Sequence, residues 1–155
     1  MLDPIIKTIE VPCDQKKAFR IFLDEMASWW PLDKFTTSMM KGASAKNITA
    51  DVRAGGKIIE VGSDNSETLW GTIKTYDPYD FFSMDFHIPG PPAFEVGQFS
   101  HVEVKFIKIA EQQTQVELTQ TNLEVFGDMA EGVHGGYNFG WGLIFEQAYK
   151  EACSS

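Results

Sequence analysis

Apolar and polar residues alternate from Ile5 to Pro12 (IIKTIEVP), and several of them are β-branched, which predicts a first strand. The period then lengthens. Ala18, Phe19, Phe22, Met26 and Trp29 recur at three- and four-residue spacing, so an amphipathic helix is predicted from Asp14 to Trp30. Asp14 is placed to cap its start, and Pro31 ends it, because the residue before a proline avoids the helical region. The adjacent indoles of Trp29 and Trp30 lie about 100° apart on a helix, so one is expected in the core and the other at its edge. Leu32 to Lys46 has no clean period and reads as loop with a short helix.

Alternation then returns and persists. The stretch NITADVRAGG ends in a Gly-Gly turn, and KIIEVGSDNSETLWGTIKTY reads as a hairpin around Asp-Asn-Ser. In FFSMDFH, Phe82, Met84 and Phe86 share one face, and Ser83, Asp85 and His87 the other. In SHVEVKFIKI, Val102, Val104 and Phe106 oppose His101, Glu103 and Lys105, and the first three are expected to face the last helix. In TQVELTQTN, Val116 and Leu118 set an inward phase that reaches Gln120 and Asn122. Between two of these strands runs HIPGPPAFEVG, too rich in proline for a strand. Its length suggests a lid bordering a pocket, with Phe94 as the apolar contact.

The chain closes on a helix. Tyr137, Trp141, Ile144, Phe145, Ala148 and Ala152 form one stripe, away from Asn138, Glu146 and Lys150. Its start is crowded with glycine, each costing about 1 kcal/mol in a helix interior. Gly135 and Gly136 are expected to form the turn leading into the helix. Gly136 and Gly140, four apart, are expected to let it approach the sheet or a loop closely; a methyl group at Gly140 would then overpack, whereas facing an open cavity it would be neutral or stabilising. Strand, helical segment, about six further strands and a long helix predict an α+β domain spanning 1–155. An antiparallel sheet with one wet face is covered by the C-terminal helix.

Charge narrows the function. The formal net charge is −9 and no Lys/Arg cluster occurs, which argues against nucleic acid and against an anionic membrane surface. No apolar run approaches the roughly 20 residues of a spanning helix, and MLDPIIKTIE lacks the features of a signal peptide, so a cytoplasmic protein is expected. Cys13 and Cys153 are then expected to be two reduced thiols. No nucleophile elbow, Cys/His pair or phosphate loop is present, and His101 with Glu103 lies on the outward phase. His87 and His134 have no ligand partners at metal spacing, so no catalytic residue, metal or cofactor is assigned.

The ordered set AFRIFLDEMASWWPLD, GGKIIEV, SETLWGTIKTYDPYDFF, VEVKF, TQVELTQ and GW resembles the START/birch-pollen-allergen superfamily. Within it, the set resembles the family named for the C-terminal domain of the activator of the heat-shock protein 90 ATPase. Members often carry a His-Ser pair soon after the Trp-Trp-Pro. Here that region reads KFTTSMM, so no role for that histidine carries over. The resemblance implies a helix-grip fold, a curved sheet wrapped around the long helix with an apolar cavity between them. It implies function only weakly, since relatives include ligand binders, cyclases or hydrolase-like enzymes, and a co-chaperone branch. On that basis a small hydrophobic ligand is expected, bound without catalysis. Its walls would be Trp30, Met84, Phe86, Phe94, Val104, Phe106, Leu118, Gln120, Trp141 and Phe145. Two other readings stand beside it: a protein-interaction module, with Phe139 and Leu143 as an exposed apolar patch, and an enzyme on a hydrophobic substrate.

Overall fold

The structure is a computed structural model that describes residues 2–91, 94 and 96–154. Seven antiparallel strands form one curved sheet in the order β1-β7-β6-β5-β4-β3-β2. They are β1 (Ile5–Val11), β2 (Ala45–Ala50), β3 (Lys57–Gly62), β4 (Glu67–Asp77), β5 (Phe81–Phe86), β6 (Ser100–Ala110) and β7 (Gln113–Thr121). The alternation read from the sequence sets the inward rows. Met84 pairs with Val102, and Val102 with Gln120; Phe82 pairs with Val104, and Val104 with Leu118; all six are buried. Phe106 is also inward, but its ring neighbours are Phe19, Phe22 and Phe82 rather than the last helix.

The first helical stretch differs from expectation. It is α1 (Gln15–Leu23), started by Asp14, whose carboxylate accepts the Lys17 N–H at 2.7 Å, and then α2 (Met26–Trp29) after a break at Asp24 and Glu25. The break and the end of α2 resolve the two-indole problem. Trp30 is already extended (φ −64°, ψ 133°), so its side chain leaves the helical wheel and both tryptophans are buried. Trp29 Nε1 donates to the Ile21 carbonyl at 2.7 Å and Trp30 Nε1 to the Phe35 carbonyl at 2.8 Å. A further short helix, α3 (Thr37–Met40), precedes β2.

After β7 the chain runs through a 3₁₀ segment (Leu123–Met129) into α4 (Ala130–Leu143), a π-helical stretch (Ile144–Tyr149) and α5 (Lys150–Cys153). Gly127, at φ 59°, makes the turn into the helix. Gly135 and Gly136 instead lie inside α4, contrary to the sequence reading. The wider π turns also move the buried face. It passes from Trp141, Ile144 and Phe145 to Tyr149 and Cys153, leaving the expected Ala148 and Ala152 at its margin. Tyr149 stacks on Phe145 with ring centroids 5.6 Å apart and donates its hydroxyl to the Ala18 carbonyl at 2.7 Å. Cys153 meets Cys13 there; both thiols are free and buried. Among the described residues, no helix is long and apolar enough to cross a membrane.

Candidate functional site

Aromatic side chains pack against one another between sheet and helix. Trp30 lies among Trp70, Phe86 and Trp141 at centroid distances of 5.0, 6.2 and 5.9 Å. Gln120, wholly buried, is held in a closed relay. Trp141 Nε1 donates to its Oε1 at 2.8 Å, its Nε2 donates to Ser100 Oγ at 2.8 Å, and Ser100 Oγ donates to the Phe86 carbonyl at 2.6 Å. Both polar atoms of the Gln120 amide are thereby engaged inside the core.

The open space lies at one end of this core. A cavity of about 680 Å³ is bounded by four parts of the chain. Lys34, Phe35, Met39 and Met40 come from α3 and the loop before it; Phe126 and Met129 come from the 3₁₀ segment. The proline-rich loop after β5 contributes His87, Ile88, Gly90, Pro91, Phe94 and Val96 to Gln98. The last helix contributes Val133, Gly136, Tyr137, Gly140 and Ile144. Of the residues proposed from the sequence, Phe94 lines this cavity. Trp30, Met84, Phe86, Val104, Phe106, Leu118, Gln120, Trp141 and Phe145 do not line it and are packed in the core behind it.

The helix wall explains the glycines. A methyl group built on Gly136 would meet nothing within 4 Å. On Gly140 it would meet Phe35 Cε1 at 3.6 Å and Ile144 Cδ1 at 3.7 Å, ordinary van der Waals contacts. Close approach of helix to sheet or loop is therefore not what these positions provide, and overpacking at Gly140 is not expected. Their effect is a helix face without side chains, and the cavity occupies the room left.

The opposite wall is anchored by a carboxylate that the sequence reading passed over. Glu60, 1 % exposed, shares the inward phase of Ile58 on β3. Its Oε1 accepts the Thr37 N–H at 2.8 Å and Trp70 Nε1–H at 3.0 Å; its Oε2 accepts the Ser38 N–H at 2.8 Å and Ser38 Oγ–H at 2.5 Å. Four donors thus satisfy the buried carboxyl group. They fasten the start of α3, so Met39 and Met40 are held over the cavity.

The second omission is His87. Strand alternation assigned it outward, but β5 ends at Phe86 and the half-buried ring lines the cavity. Its Nδ1 lies 2.8 Å from the Tyr137 hydroxyl, which also accepts the Ile88 N–H at 2.8 Å. The Phe126 ring lies against the imidazole with centroids 4.2 Å apart. Burial pushes the His87 pKa down to about 4, so the ring is neutral at pH 7. Burial also pushes the Tyr137 phenol above its usual value, against the opposing Ile88 hydrogen bond. The outward pair behaves as the alternation implied: His101 Nε2 and Glu103 Oε2 are 3.1 Å apart on the wet face.

Residues 12–147 match the family described as Activator of Hsp90 ATPase homolog 1-like protein. The chain belongs to this family. Solved structures of similar fold include an anthrahydroquino-gamma-pyrone synthase, 24% identical, with 88% of each chain covered and a TM-score of 0.61. The self-sacrificing resistance protein CalC from Micromonospora echinospora is 20% identical, with 97% of this chain and 93% of that one covered and a TM-score of 0.67. An HSP90 activator from Plasmodium falciparum is 20% identical, with 92% and 90% covered and a TM-score of 0.60. At these identities the likeness is one of fold. No curated protein matches by sequence. The family membership agrees with the resemblance carried by the sequence segments and with the observed sheet and helix.

Proposed function

We propose that this Hsp90-activator-like chain binds a small apolar molecule in the cavity beside the glycine face of α4, without acting on it chemically. One observation carries the reading. About 680 Å³ of space is walled mainly by Phe, Met, Val and Ile side chains, a size and lining suited to a drug-sized ligand. Met39, Met40 and Met129 give that wall an adaptable surface. Two titratable groups on the described wall, His87 and Tyr137, favour binding over acid–base chemistry. His87 is neutral, and the Tyr137 hydroxyl is held on both sides and kept protonated. Native mass spectrometry of freshly purified protein tests this. A co-purifying apolar compound, absent from Gly136→Phe, is expected; no bound mass and no uptake of apolar probes would refute the reading.

A second reading has one observation in its favour. Phe139, on α4, is 69 % exposed, whereas Leu143 is half-buried. A large apolar side chain so exposed suits a protein partner. If this chain shares the activity in its family's description, it should stimulate an Hsp90-type ATPase, and Phe139→Asp should abolish the stimulation; no stimulation by the unaltered chain would set the reading aside. The adjacent free thiols of Cys13 and Cys153 support a reducing, cytoplasmic setting.

A further inference from the structure

His87 carries the most specific polar feature of the cavity wall, and its proton can be located. The Tyr137 hydroxyl accepts the Ile88 N–H, and the acceptor in reach of its own proton is His87 Nδ1. Nδ1 of the neutral ring therefore accepts, and the ring's proton resides on Nε2. No described residue pairs with Nε2. Among the described residues no side-chain nitrogen or oxygen is both fully buried and unpartnered. Nε2 therefore keeps accessible surface, and the ring that carries it lines the cavity. Contact with Phe126 on the ring face holds its tilt.

We propose that His87 Nε2–H is the anchor for an uncharged oxygen acceptor on the ligand, which makes the ligand class an apolar molecule bearing a keto-type carbonyl. The inference rests on the cavity being a binding site. A pure hydrocarbon filling this end would cover the N–H and leave it unpaired, which is unfavourable. A cation would meet Lys34 and no Asp or Glu among the described lining residues. An ionised carboxylate at the His87 end would lack a countercharge, since the imidazole there is neutral and Lys34 is exposed at the rim. A carbonyl oxygen needs one donor and no charge, and the wall supplies that.

The test uses two shape-matched probes, a methyl naphthyl ketone and its isopropenyl isostere, titrated against the full chain. After correction for their partition between water and octanol, the ketone should bind about three- to tenfold tighter, the range of one net hydrogen bond. In His87→Phe the isopropenyl probe should still bind and the preference should vanish. An unchanged preference in His87→Phe, or no preference in the unaltered chain while the isopropenyl probe binds, overturns the anchor and leaves the cavity reading standing. Failure of both probes to bind the unaltered chain overturns both. Imidazole nitrogen NMR of the unaltered chain reads the tautomer without any substitution: the Nε2–H form is expected, and the Nδ1–H form overturns the inference.

Discussion

Gly136→Ala should stabilise this protein, and Gly136→Phe should blind it. Gly136 is inside α4, where glycine costs about 1 kcal/mol relative to alanine. An added methyl meets nothing within 4 Å, so no steric term opposes the gain. In a chain of this length, 1 kcal/mol corresponds to about 2–4 °C in Tm. One methyl occupies a small share of about 680 Å³, so probe binding in the alanine variant should barely change. A phenylalanine at the same place projects a ring into the cavity and should sharply lower binding of apolar probes. Its own burial against the apolar wall should keep the fold at least as stable as the parent. Thermal melts and probe titrations on the two variants separate the possibilities. A drop in Tm for Gly136→Ala, of the size expected from about 1–3 kcal/mol of overpacking, would show that the glycine serves close packing after all. Unchanged probe binding in Gly136→Phe would show that this face of α4 is not part of the site. Gly140→Ala, with its contacts at 3.6–3.7 Å, should be neutral to mildly stabilising by the same reasoning.

Glu60→Gln replaces an acceptor with a donor facing N–H groups, so it should cost about 1–3 kcal/mol in urea titrations and weaken probe binding by loosening α3. The His87 effect on stability has a definite sign. Unfolded, the ring binds its proton near pH 6.5; folded, it does so only near pH 4. Between those values the unfolded state holds more protons, so stability should fall as pH is lowered through that window. The loss should be on the order of 2 kcal/mol after allowance for partial solvent exposure, and that part of the pH slope should be missing from His87→Phe. Both cysteines are buried, and burial is the largest cause pushing their thiols up, Cys153 to about 12. Neither should react with a disulfide-exchange reagent in the folded protein, and both should react in denaturant.

The sheet was legible because its strands repeat every second residue and one face is dry, so Phe82, Met84 and Val102 to Phe106 declared their side. The site was not, because it is assembled where periodicity stops. His87 follows the last residue of β5, and extending the strand's phase by one residue put it on the wrong side. Gly136 and Gly140 have no side chains to carry a pattern, and their role is the space they leave. Tyr149 and Cys153 entered the core through π turns that an α-helical wheel does not represent. Glu60 was within reach: a carboxylate in phase with the apolar Ile58 on a strand is a polar group aimed inward, and such a group requires partners. The aromatic wealth was visible, but the sequence could not say whether it walls a cavity or fills a core. Trp30, Trp70, Phe86 and Trp141 fill it.

The methionines provide the most direct test of where a ligand goes. Met39, Met40 and Met129 line the cavity, while Met26 and Met84 are buried in the core behind it. Methyl NMR of methionine-labelled protein, titrated with a methyl naphthyl ketone, reports on both places at once. Shifts at Met39, Met40 and Met129, with Met26 and Met84 unmoved, are predicted. Shifts centred on Met84 and Met26 would mean that the ligand enters between sheet and helix, and an unperturbed spectrum at saturating probe would mean that the cavity takes no such ligand; either would contradict the account.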